Sequence, residues 1–167
     1  MQRYFVKNIN DKRVIFEDSD IHHIKNVMRM NVNDIVEVVF NNLVYRASIE
    51  CLDPLIVNTI EEVKSNKINK PDVIMIIPLV IEQKMDYILQ KGTELGVSEF
   101  YIYDAVRSKI KLDNEKYLKK VNRWSKICKE ASEQSHRVDI PLIKGIYKLS
   151  DLKDCSGLKI VCSTNNV

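Results

Sequence analysis

Glycine, proline and cysteine each occur only four times in the 167 residues, histidine three times and tryptophan once. The glycines, Gly92, Gly96, Gly145 and Gly157, are too dispersed to build a phosphate cradle. The sequence holds no P-loop, no G-x-G-x-x-G, no H-E-x-x-H and no G-x-S-x-G. Cys51, Cys128, Cys155 and Cys162 form no C-x-x-C pair and have no histidine in ligand spacing. Reduced, mostly buried thiols are therefore expected rather than a metal site or a disulfide framework. His22 and His23 are adjacent, so on a helix they point about 100° apart, and His136 stands alone; no metal is expected. The longest apolar run is interrupted by Pro78, Glu82 and Lys84, and Met-Gln-Arg-Tyr-Phe lacks the apolar core of a signal peptide. The expectation is a cytoplasmic protein without a membrane partner.

What is present is an ordinary globular composition, 45% hydrophobic and 29% charged, enough for one domain or two small ones. The formal net charge is only +3, but its distribution is uneven. Arg107 to Arg137 holds ten Lys or Arg against four Asp or Glu, so the positive charge is concentrated in one segment.

The clearest local pattern is Val73 to Val80, then Lys84 to Val97, then Phe100 to Tyr103: apolar run, amphipathic segment, apolar run. A parallel strand pair needs a crossover of about a dozen residues, so this order predicts a βαβ unit. Met85, Ile88, Leu89 and Leu95 form the predicted apolar side, Asp86, Gln90 and Glu94 a polar ladder, and Gly96 the stop. Upstream, residues 2–8 and 12–17 read as two short strands around Asn8-Ile9-Asn10-Asp11. Asp18 or Ser19 is expected to cap a helix running to Met28, with Ile21, Ile24, Val27 and Met28 buried. Asn33-Asp34 turns into a strand over 35–40, Asn41-Asn42 makes a hairpin, and strands follow over 43–52 and 55–63. Five or so short strands with one helix suggest a small closed or half-closed β-barrel. The polar, basic stretch 64–71 reads as a linker.

Downstream, 104–111 reads as a loop and Asp113 to Gln134 as a long helix. Leu118, Val121, Trp124, Ile127, Cys128 and Ala131 make its apolar stripe, and Lys116, Lys119, Lys120, Arg123 and Lys126 a basic strip. Strands are expected over 140–143 and 157–162, with a helical piece around 150–153. With Arg107, Lys109 and Lys111, the strip reads either as a solvated face or as a track for a phosphate backbone. Glu130 to Arg137, including Glu133 and Gln134, reads either as a capping cluster or as a group that reads base edges. Glu94 is a possible acid or base if buried and otherwise a solvent-facing helix residue.

Leu89-Gln90-Lys91-Gly92-Thr93-Glu94-Leu95-Gly96-Val97, Arg107-Ser108, Arg123-Trp124, Glu130-Ala131-Ser132-Glu133-Gln134-Ser135, Arg137 and Pro141 together resemble the ribosomal RNA small-subunit methyltransferase E family. Arg3, Phe5, His23 to Met30 and Asn33-Asp34 are similar to the PUA-like barrel of that family. The resemblance implies a PUA-like β-barrel over 1–70 and the first part of an α/β knotted, SPOUT-type methyltransferase domain over 71–167. It also implies S-adenosylmethionine as cofactor, a uridine N3 in small-subunit ribosomal RNA as substrate, and a homodimer. A G-P-E-G-G loop and an L-G-x-x-I-L-R segment, which form most of the family's cofactor pocket, are absent from these residues. The chain is thus expected to be an incomplete form, with a non-catalytic RNA-binding module as the alternative. Arg107 is the candidate donor to the developing imide anion and Glu94 the candidate base. Arg3, Lys7, Arg29, Lys116, Lys120 and Arg123 are the candidate phosphate contacts. Two departures are local: Gly92 stands where alanine is common, and Asn33 where a turn glycine is usual.

Overall fold

The computed structural model describes residues 1–63, 71–105, 114–152 and 156–162. Two hydrophobic cores form, each on its own sheet. The first sheet contains β1 (Arg3–Phe5), β2 (Asn8–Asn10), β3 (Arg13–Ile15), β4 (Ile35–Phe40), β5 (Leu43–Leu52) and β6 (Leu55–Val63), in the order β1-β4-β5-β6-β3-β2. β1 runs parallel to β4 and the other pairs are antiparallel. Asn41 and Asn42, with φ of 51° and 60°, both occupy the left-handed region that a two-residue hairpin turn requires. Register shifts at Arg46/Ala47 and Ile49/Cys51 bend β5 over a core of Tyr4, Ile24, Val36, Val38 and Ile49. The Val6 amide donates to the Val39 carbonyl at 3.1 Å and the Lys7 amide to that of Ile15 at 3.0 Å, tying the two sheet edges into a half-closed barrel.

Three local expectations are corrected here. The N-terminal strands are three rather than two, because Asn8-Ile9-Asn10 alternates outward and inward as β2. The turn falls on Asp11 and Lys12, with Asp11 at φ 55°. The helix cap is Glu17, without a side-chain bond, rather than Asp18 or Ser19. That helix, α1 (Asp18–His22), passes into a π-helical turn over His23–Val27. Bonding to the fifth residue back rotates the following side chains away from the 3.6-residue stripe, so Ile24 is fully buried while Val27 and Met28 are exposed.

The second sheet is parallel throughout, with β7 (Ile74–Pro78), β8 (Glu99–Tyr103) and β9 (Leu142–Tyr147) in that order. Its crossovers are α2 (Glu82–Glu94) and α3 (Asn114–Gln134), so the predicted βαβ unit is present and is followed by a second one. Met85 and Leu89 of α2 and Trp124 and Cys128 of α3 close over Ile77, Phe100 and Ile102. α2 ends in a Schellman motif: the Gly96 amide donates to the Thr93 carbonyl at 3.0 Å, the Val97 amide to that of Gly92 at 2.9 Å, and Gly96 has φ 98°.

Leu95 and Leu118, expected in the apolar stripes, are exposed, because Val97 folds back under the end of α2 and Tyr117 takes the inward place on α3. β9 begins only at Leu142, since Pro141 has no amide for a ladder. Residues 156–162 form no strand; Leu158, Ile160 and Val161 are exposed and no ladder partner lies beside them among the described residues. Of the described cysteines only Cys128 is buried, Cys51 being partly exposed and Cys162 exposed. The linker falls almost wholly outside the described residues, as do most of the 104–111 loop and Lys153.

Candidate functional site

The barrel and the parallel sheet meet along β1, α1 and the C-terminal half of α3, where the polar side chains converge. Arg3 lies buried there, donating from Nε and Nη2 to Glu37 Oε2 at 3.0 and 2.7 Å. Its Nη1 donates to the carbonyls of His136 and Arg137, at 2.5 and 3.1 Å. One guanidinium therefore joins β1, β4 and the end of α3. Burial opposes ionisation of Glu37, but the Arg3 guanidinium holds its carboxyl below the usual range.

Beside it, Glu133 Oε1 accepts the Phe5 amide at 3.1 Å. Lys129 Nζ donates to both Asp20 oxygens at 3.0 and 2.9 Å and lies 3.4 Å from Glu17 and 3.8 Å from Glu133. Burial pushes the Glu133 carboxyl up to about 7, against the opposing pull of the Phe5 amide and Lys129. Burial also opposes charge on Lys129, yet Asp20, Glu133 and Glu17 keep its pKa above the ordinary value. Tyr4 hydroxyl and His23 Nδ1 share a hydrogen bond of 3.0 Å, and burial, followed by Glu133 and Asp20, raises the phenol. These groups line a cleft of about 810 Å³ that also reaches Gln134 and His22.

A second convergence closes α2. Arg137 Nη1 donates to the carbonyls of Thr93 and Val97, each at 2.8 Å, and Nη2 to Asp139 at 2.6 Å. The guanidinium thus caps the Schellman end of α2 from the turn after α3, joining two segments that carried the family resemblance. Gly92 packs so closely on Phe100 that a Cβ there would stand 2.8 Å from two ring carbons.

The remaining predicted residues are spread out. Lys120 and Arg123 point across to α2 and pair with Glu82, Arg123 also with Asp86, so this part of the strip is a helix-to-helix charge seam. Lys119 and Lys126 pair with Glu115 and Glu130 one turn away, and Lys116 is exposed at the start of α3. Lys7 and Arg29 are exposed on the barrel. Lys7 lines a groove of about 360 Å³ with Asn41 and Asn42, and Arg29 has φ 51°. Gln134 is exposed at the cleft mouth. Glu94 is half-buried and holds Lys91 at 2.7 Å. Arg107 and Lys109 lie outside the described residues. Sequence reasoning missed Glu17, Asp20, Glu37 and Lys129. The available signal was Lys129, a lysine directly beside the Cys128 position of the apolar stripe and three residues beyond Lys126, the last residue of the basic strip.

Residues 67–166 match the family model described as an RNA methyltransferase domain, and residues 16–55 the one described as an RNA methyltransferase PUA domain. The chain is 35% identical over 166 residues to ribosomal RNA small subunit methyltransferase E of Bacillus subtilis. The chain belongs to the ribosomal RNA small subunit methyltransferase E family. A second member, from Mesomycoplasma hyopneumoniae, is 31% identical over 159 residues. Each alignment takes in 91% of this chain, which spans 62% and 65% of the two relatives' own lengths. The Neisseria gonorrhoeae family member, solved bound to S-adenosyl methionine, superposes with a TM-score of 0.83 over 93% of this chain and 66% of its own, at 23% identity. Family membership fixes the fold class as expected: a PUA-like N-terminal part followed by an α/β methyltransferase part of SPOUT type. Among the described residues no glycine lines either cleft, and the larger cleft is walled by Glu17, Asp20, Glu130 and Glu133. Those residues do not make a cradle for an adenosyl cofactor. Among the described residues no helix is long and apolar enough to cross a membrane, and no three His, Cys, Asp or Glu side chains are grouped to hold a metal.

Proposed function

We propose that this protein acts in methylation of N3 of a uridine in small-subunit ribosomal RNA, as a cytoplasmic homodimer with domains at about 1–70 and 71–167. The observation that carries the reading is the match through 91% of the chain to a ribosomal RNA methyltransferase, with barrel and α/β segments in the same order. S-adenosylmethionine supplies the methyl group in this chemistry.

The demands on the protein follow from the uracil ring. N3 lies on the Watson–Crick edge and carries a proton, so the base must be unpaired and the proton removed before the nitrogen can act as a nucleophile. Arg107 is assigned to the developing imide anion and Glu94 to the proton, the latter already within an ion pair with Lys91. Lys7 and Arg29 are assigned to phosphates, because both are exposed on the barrel. Lys109 and Lys116 are assigned with them, and Gln134 to a base edge at the cleft mouth.

The test is incubation of the chain with small-subunit ribosomal RNA and methyl-labelled S-adenosylmethionine, followed by nucleoside digestion. Label in 3-methyluridine is the expected result, and label in any other nucleoside overturns the assignment. Absence of label, together with no heat of S-adenosylmethionine binding but retained RNA binding, would replace this reading with that of an RNA-binding module.

A further inference from the structure

The groups between barrel and α3 carry a charge imbalance that the proposed chemistry does not use. Three carboxylates, Glu17, Asp20 and Glu133, surround the single ammonium of Lys129, at 3.4, 2.9 and 3.8 Å. Glu17 is nearly half exposed, whereas the side chains of Asp20 and Glu133 are each only 9% exposed. Asp20 meets Lys129 with both oxygens, so that ammonium is committed to Asp20. Glu133 is left with a backbone amide, that of Phe5, and a distant share of Lys129. A buried carboxylate so placed takes up a proton more readily than one in water.

The other charged and titratable groups facing it do not remove the imbalance. From β1 come Tyr4, whose hydroxyl is engaged with His23 of the π-turn, and Arg3, whose guanidinium is occupied by Glu37 and two carbonyls. α3 adds Glu130, which is acidic, and after its end His136, which lies 3.5 Å from Glu37.

We propose that Glu133 is a positioning residue whose proton occupancy sets how firmly the barrel is held against α3. With the proton in place, Glu133 sits neutral in the seam and accepts the Phe5 amide. Without it, a second buried carboxylate competes for Lys129 and the seam is weaker. The sign follows from the folded-state value of about 7 against 4.5 for a free glutamate. Docking is strongest below about pH 4.5, declines as the pH rises through the window up to about 7, and is flat above it. Within that window the ratio of docked to undocked forms falls by at most about tenfold per pH unit. The seam stands on this geometry alone; only its consequence for RNA binding, the alignment of the barrel's phosphate contacts with the α/β half, rests on the function proposed above.

Two measurements test it. A carbon-13 titration of the side-chain carboxyls of the unmodified protein should show one glutamate with a midpoint near 7; if every glutamate titrates below about 5.5, the inference fails. Amide exchange at Phe5, corrected for the intrinsic pH dependence of exchange, should speed up from pH 5 to 7 in the wild type. The same exchange should lose that dependence in Glu133→Gln, whose amide oxygen still accepts the Phe5 amide but cannot ionise. Glu133→Ala should be exposed at every pH. A Glu133→Gln protein that keeps the wild-type pH profile overturns the proposal, whatever the outcome of the RNA methylation assay.

Discussion

Gly92 leaves no room for a side chain, because the Cβ of an alanine would meet two Phe100 ring carbons at 2.8 Å. Alanine would gain about 1 kcal/mol of helix propensity, while overpacking a buried aromatic costs about 1–3 kcal/mol, so packing wins. Gly92→Ala should therefore lower stability by up to about 2 kcal/mol in urea unfolding followed by fluorescence of Trp124, the single tryptophan. An unchanged or raised midpoint would mean that the Phe100 ring moves aside freely. Arg137 is the other residue with a large expected effect, since its guanidinium satisfies two carbonyls at the end of α2 with little exposure to water. Arg137→Met should cost about 2–3 kcal/mol in the same assay. Arg137→Lys should recover only part of it, because an ammonium cannot reproduce the planar fork.

At the level of elements, α2 shows how a stop signal in sequence becomes a fixed geometry. Gly96 at φ 98° turns the chain so that Val97 enters the core and Leu95 stays outside. Gly96→Ala should destabilise by about 1–2 kcal/mol, the cost of a left-handed alanine, with nothing nearby to clash. A smaller loss, read from the denaturant midpoint, would show that the turn relaxes. The ion pairs between α2 and α3 act differently. Arg123 and Glu82 are each about half exposed, so Arg123→Ala should cost less than about 1 kcal/mol, and that difference should vanish in high salt.

At the level of the whole molecule, the packing of elements on one another decides which basic residues stay exposed and so could meet RNA under the proposed function. Arg3, Arg137, Lys120 and Arg123 are engaged by protein acceptors, whereas Lys7 and Arg29 are exposed. For RNA binding measured between about 50 and 200 mM salt, Lys7→Ala and Arg29→Ala should each reduce the logarithmic salt slope by about one. Arg123→Ala should leave that slope unchanged. Equal slope changes for all three would show that RNA displaces the α2 carboxylates from Arg123.

Much of the fold was legible from periodicity and turn chemistry, because these are local. Val36 and Val38 alternate into the barrel core, Asn41-Asn42 supplies the two left-handed residues of a hairpin, and Met85, Leu89 and Gly96 define α2 and its end. Sequence order also identified the family and both of its parts. The π-turn was not legible, since a single change from 3.6-residue spacing leaves no pattern, and Val27 and Met28 were misplaced as a result. Nor was the seam. Glu133 and Arg137 read equally well as capping groups or base readers, and Arg3 as a phosphate contact. Only tertiary structure brought Phe5 to Glu133, residues 128 positions apart, and Arg3 to the carbonyls of His136 and Arg137. The sequence by itself determined most of the elements and the family, because backbone preference and side-chain period act over a few residues. The burial of a charge and the choice of its partner depend on which elements meet, and that was decided by the packing of the barrel on α3.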